Sequence, residues 1–121
     1  MNVTGVDFAV VPIRNVEAAR EFYGDVLGLP CSVQYGQMPG FEYETGTLTL
    51  ALLDADAFKL PFEHSAPIAL RVDDVPAARA ELEARGIEFE GDIVDSGVCH
   101  QAYFKDPDGN PLILHHRYAP K

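Results

Sequence analysis

The chain has 121 residues and a mass of 13.2 kDa, enough for one ordinary domain that buries roughly two thirds of its exposable surface. Nine basic residues against nineteen acidic ones leave a formal net charge of −10, which repels a nucleic-acid backbone and an anionic membrane surface alike. With 47% hydrophobic and 23% charged residues, no basic-then-apolar leader in MNVTGVDFAV and no run near the eighteen or so apolar residues of a membrane span, a folded cytoplasmic domain with a small-molecule or protein partner is expected.

In chain order, an apolar run Val6 to Ile13 reads as a strand, and Asn15 caps a helix running to about Leu27 with Gly28 as its stop. Short strands follow at Cys31 to Tyr35, Phe41 to Glu44 and Thr47 to Leu53. Asp54 to Ala66, holding Pro61 and little periodicity, reads as a linker. The pattern then repeats: strand Ile68 to Val72, a helix from the cap Asp74 to about Arg85 with Gly86 as its stop, and strands Ile87 to Glu90, Val98 to Lys105 and Leu112 to Arg117. The last two are joined by the turn Asp106-Pro107-Asp108-Gly109-Asn110. Ile13 to Arg20 matches Val72 to Arg79 at a constant offset of 59, with Val, Ala, Ala and Arg identical. The expectation is a single α+β domain of two βαβββ modules, about 1–54 and 67–121, joined by a linker at about 55–66. Each module is short of apolar surface on its own, so the two should share a core or exchange halves with a second chain.

Strand side chains alternate between two faces, and sorting them separates an aliphatic set from a mixed one. Ala9, Val11, Ile13, Leu48, Leu50, Leu52, Ile68, Leu70, Val72, Ala102, Phe104, Leu112 and Leu114 form the helix-packed face. Phe8, Val10, Pro12, Thr47, Thr49, Ala51, Pro67, Ala69, Arg71, Gln101, Tyr103, Ile113 and His115 form the other. Phe8, Val10, Tyr103 and Ile113 are too apolar for open water, so this second face lines a ligand cavity or, failing that, a dimer interface. Cys31 and Cys99, without a CxxC, read as idle or buried thiols.

The segments VVPIRNVEAAREFYGDVLGLP, IALRVDDVPAARAELEARGIEF and FKDPDGNPLILHH resemble the vicinal oxygen chelate superfamily of glyoxalases, bleomycin-resistance proteins and extradiol dioxygenases. The resemblance covers essentially the whole chain. It implies paired βαβββ modules forming a curved mixed sheet around a cleft, in which metal-dependent members chelate a divalent ion with four strand residues. Carried over position by position, those ligands fall at Phe8, at or near Thr49, at Pro67 and at Ile113. None of these side chains suits a metal, so a metal-free cleft with no cofactor is expected, which puts metal-assisted isomerisation and ring cleavage in doubt.

Tyr103 falls where the resembling dioxygenases place a pocket tyrosine, and the hairpin sets Gln101 opposite His115. The three line a ligand wall, with His115 and Tyr103 as candidate acid–base groups, or they are polar residues on an open sheet face. Arg71, the one cation of that face, either holds an anionic group or pairs with an acidic residue of the chain. His100 falls opposite His116 on the other face, with no carboxylate obviously beside them, and the pair reads as packing or surface histidines unless a bulge exchanges the faces. His64 enters only if the linker folds inward. Two readings stand: a homodimeric binding protein that sequesters a small molecule through Phe8, Val10, Thr49, Pro67, Arg71, Gln101, Tyr103, Ile113 and His115, or a lyase, isomerase or dioxygenase-related enzyme of the same superfamily using Tyr103, His115 and Arg71 or a non-inherited metal site.

Overall fold

Asn15 and Asp74 start the two helices in the same way. Asn15 accepts a hydrogen bond from the Ala18 N–H at 3.1 Å, and Asp74 one from the Ala77 N–H at 2.9 Å, each side-chain oxygen satisfying a donor that the first turn leaves free. These contacts come from a computed structural model of the chain, which describes all of residues 1–121. Helix α2 (Val75–Ala84) carries Pro76 in its first turn, where no N–H is needed, and ends before Gly86, whose φ of 88° only glycine adopts without strain. Helix α1 (Val16–Arg20) departs from expectation in its second half. Glu21–Val26 continues it as a π-helix, in which the Leu27 N–H reaches the Phe22 carbonyl five residues back at 2.9 Å.

The chain divides into two compact units, Met1–Ser65 and Ala66–Lys121. The first holds a four-stranded mixed sheet of β1 (Phe8–Ile13), β2 (Cys31–Gln34), β3 (Gly40–Glu44) and β4 (Thr49–Asp54), in the order β1-β4-β3-β2 with β1 and β4 parallel. The second repeats it with β5 (Ile68–Arg71), β6 (Phe89–Asp95), β7 (Cys99–Lys105) and β8 (Pro111–Arg117), ordered β5-β8-β7-β6 with β5 and β8 parallel. This is the α+β architecture expected from the repeat, with eight strands in two sheets. No helix is long and apolar enough to cross a membrane.

The aliphatic face of each sheet is the buried one. Val11, Ile13, Leu50 and Leu52 are sealed beneath Ala19, Phe22 and Tyr23 in the first unit; Ala102, Phe104, Leu112 and Leu114 are sealed with Val75 and Leu82 in the second. Strand bounds shift at the edges: Val6, Thr47 and Val72 lie outside the ladders, and β6 runs on to Asp95. The reason for the last difference is a bulge between Glu90 and Val94, with Gly91 at φ 68°, which breaks the alternation by which a strand is recognised. The β7–β8 ladder runs unbroken from Cys99↔Arg117 to Lys105↔Pro111, so no bulge exchanges its two faces.

Candidate functional site

In the first unit, the mixed face is built of cross-strand rows. Phe8, Thr49 and Glu44 are in register on β1, β4 and β3; Val10, Ala51 and Glu42 form the next row. Phe8 is 51% and Val10 40% exposed, while Ala51, small enough to be covered by its neighbours, is buried. The two carboxylates were not singled out in the sequence, although Glu42 and Glu44 share a face simply by standing two residues apart on a strand. Both are held by hydroxyls. Thr49 donates to Glu44 Oε1 at 2.6 Å and Ser32 to Glu44 Oε2, and these two bonds hold the Glu44 carboxyl below the usual glutamate range. The Tyr35 hydroxyl donates to Glu42, and that carboxylate pushes the phenol up to about 12.

In the second unit, Arg71, His115 and Gln101 are in register on β5, β8 and β7, and Ala69, Ile113 and Tyr103 form the row beside them. Tyr103, Gln101, His115 and Ile113 are half-buried, Arg71 and Pro67 exposed. The Tyr103 hydroxyl donates to Gln101 Oε1. The ion pair considered for Arg71 does not form, whereas Arg79 pairs with Glu83, His100 with Asp95 and Lys105 with Glu90.

The remaining candidates are placed elsewhere. His100 does face His116 across the ladder, but a carboxylate lies beside it after all, because the lengthened β6 brings Asp95 Oδ2 to 3.3 Å from His100 Nε2. The Tyr118 hydroxyl donates to Asp95 Oδ1 at 2.7 Å, its ring lies 4.9 Å from that of His100, and with the Gly97 N–H it holds the Asp95 carboxyl low. His64 is exposed, its ring edge-on to Phe62. Cys31 is exposed and Cys99 buried, both as free thiols. An open groove of about 700 Å³ runs between α1 and the helix-facing side of β2 and β3, and none of the nine nominated residues lines it. Its walls include Glu17, Glu21 and Asp25, and its one cation, Arg20, donates to Tyr43 Oη at 3.2 Å with its guanidinium over the Phe41 ring.

Residues 5–114 match the family model described as the Glyoxalase/Bleomycin resistance protein/Dioxygenase superfamily. The chain belongs to that superfamily. Among solved structures, the superfamily fold is matched over 97% of this chain by 98% of a glyoxalase family protein from Bacillus anthracis, at 22% identity and a TM-score of 0.81. A lactoylglutathione lyase from Agrobacterium tumefaciens matches at 20% identity and a TM-score of 0.77, over 95% of each chain. TnmS3, an antibiotic binding protein from Streptomyces sp. CB03234, is 30% identical over 97% of this chain and 98% of its own, with a TM-score of 0.79. A comparison with curated proteins returns no match.

For a member of this superfamily the chelating positions are the first test of mechanism. Phe8, Pro67 and Ile113 offer no donor atom, and the Thr49 hydroxyl is already engaged with Glu44. A divalent ion needs about three or four converging N, O or S donors, so these residues do not fit one. Nor are three or more His, Cys, Asp or Glu side chains gathered elsewhere in a way that would hold a metal.

Proposed function

We propose that the protein binds and sequesters a small organic molecule on the mixed faces of its sheets, through Phe8, Val10, Thr49, Pro67, Arg71, Gln101, Tyr103, Ile113 and His115, with no metal at the inherited positions. The observation that carries this reading is the 30% identity, along nearly the whole of both chains, with a protein described as antibiotic binding. Two features agree with it. Phe8 and Val10 leave an apolar surface open where a core residue would be covered, and the polar groups beside them are few and fixed. Two free cysteines suit a reducing compartment, and a cytoplasmic homodimer completes the proposal.

A thermal-shift screen of aromatic acids, quinones and glycopeptide antibiotics, followed by calorimetry, tests it. Phe8→Ala should weaken a ligand found in this way by about 1–2 kcal/mol through lost apolar contact, and Tyr103→Phe by about 0.5–1.5 kcal/mol. Affinity indifferent to both changes refutes the assignment of the face. Near-stoichiometric zinc, iron, manganese or nickel at that site in untagged protein would refute the metal-free reading, and a monomer by sedimentation at micromolar concentration would refute the dimer.

One observation favours a catalytic reading: the His115 imidazole has no hydrogen-bond partner in the chain and stands in register with Arg71. A general acid–base role predicts that His115→Ala lowers turnover by about a hundredfold while leaving binding intact.

A further inference from the structure

We propose that the mixed face of the Ala66–Lys121 unit recognises a carboxylate of its ligand through a row of donors formed by Arg71, His115 and Gln101. The inference rests on the binding reading and adds the chemistry of the group bound.

Arg71, His115 and Gln101 stand in register on three consecutive strands, so their side chains leave the sheet about 5 Å apart and in line. Each presents a donor. The Tyr103 hydroxyl donates to Gln101 Oε1, an arrangement that leaves the amide NH2 free to donate to a ligand. Tyr103 is therefore a positioning residue here.

Charge makes the same point. The chain holds nineteen acidic residues, yet the Arg71 guanidinium has no carboxylate partner. Glu90, in register with Tyr103, is taken by Lys105 at 3.1 Å. Arg117 stands two residues beyond His115 on the same face and bonds to Cys99 Sγ and the Pro120 carbonyl, neither of which neutralises it. Among the residues in register on this face, the charges are Arg71, Arg117 and Lys105 against Glu90, in a protein whose net charge is −10. Free cations beside convergent N–H donors favour an anion, and a planar carboxylate matches the guanidinium fork. The corresponding face of the first unit has the opposite character, with Glu42 and Glu44.

The test is a titration of the full-length protein with 2-naphthoate and with its neutral amide, 2-naphthamide, followed by 1H–15N NMR including the Gln101 side-chain NH2. Naphthoate should bind about tenfold tighter than naphthamide and shift the Gln101 NH2 signals. Arg71→Met, a change at an exposed side chain, should abolish that preference with an unchanged circular-dichroism spectrum, and Arg71→Lys should restore part of it. Tyr103→Phe should weaken naphthoate severalfold and leave naphthamide untouched, a split that loss of packing alone would not produce. Equal affinity for acid and amide, a preference that survives Arg71→Met, or no naphthoate binding at millimolar concentration overturns the proposal. Phe8-dependent binding of naphthamide without any preference for the acid would remove this inference and leave the binding reading standing.

Discussion

Removing the Asp106 carboxylate should destabilise the fold by about 3 kcal/mol, read as a lower midpoint in urea at unchanged slope. The side chain is buried in the β7–β8 turn, where it accepts from the Asp108 N–H at 2.9 Å, the Asn110 N–H at 2.8 Å and Asn110 Nδ2 at 2.9 Å, so Asp106→Ala strands several donors at once. Titration gives a second residue-scale prediction. Tyr35 binds its proton more tightly folded than unfolded, so the stability it contributes is complete below its ordinary pKa of 10 and is lost as pH rises toward about 12. An ultraviolet titration should show a late-ionising tyrosine that Tyr35→Phe removes. Glu44 and Asp95 have the opposite sign. Their folded carboxyls are held low by Ser32 and Thr49 in one case and by Tyr118 and Gly97 in the other, so their contribution is present above the ordinary carboxylate range and is lost as pH falls through the lower folded values. Glu44→Gln and Asp95→Asn should each flatten the acid side of a stability profile between about pH 3 and pH 7. At this scale the sequence was least legible. The turn Asp106 to Asn110 could be read from its residue types, but the unpaired state of Arg71 depends on what the sheet places beside β5, where β8 sets His115 and no carboxylate in register with it.

Gly40 lets β3 do two things at once. A Cβ there would stand 2.3 Å from Tyr35 Cδ2 and 3.0 Å from Phe58 Cζ, so the absence of a side chain is what allows Tyr35 to lie across the strand, against Phe58, with its hydroxyl on Glu42. Gly40→Ala should displace that ring and cost about 2 kcal/mol by chemical denaturation. Gly24→Ala is the contrast: its Cβ would meet Tyr43 Cε1 at an ordinary 3.5 Å, and stability should stay within about 0.5 kcal/mol. The strands themselves were readable because alternation is a backbone property, visible in Val11, Ile13, Leu50 and Leu52 without knowledge of their neighbours. The far end of β6 was not, since Gly91 and its bulge interrupt the alternation. Nor was the π-helical turn, because apolar spacing reports which face is buried and not which carbonyl each N–H reaches.

Across the whole molecule, duplication explains most of what was legible. Four identical residues at an offset of 59 announced two similar halves, and each half has the strand order expected of a copy. The copies have since parted in charge, one mixed face bearing Glu42 and Glu44 and the other Arg71 and Arg117, and no periodicity announces that divergence. They have also parted in length. Gly28 lies thirteen positions after its cap Asn15, whereas Gly86 lies twelve after Asp74, and both glycines end their helices at positive φ. The first copy therefore holds one residue more between the same two landmarks, and a hydrogen bond reaching five residues back, as from Leu27 to Phe22, is the way a helix accommodates a single insertion without turning its later residues off the sheet. The wide turn takes up that extra residue, and removing the residue should undo it. Deleting the exposed Asp25 should restore a regular helix with nearly unchanged thermal stability, whereas deleting one residue between Ala78 and Leu82, where no spare residue exists, should rotate Leu82 out of the core and abolish cooperative unfolding.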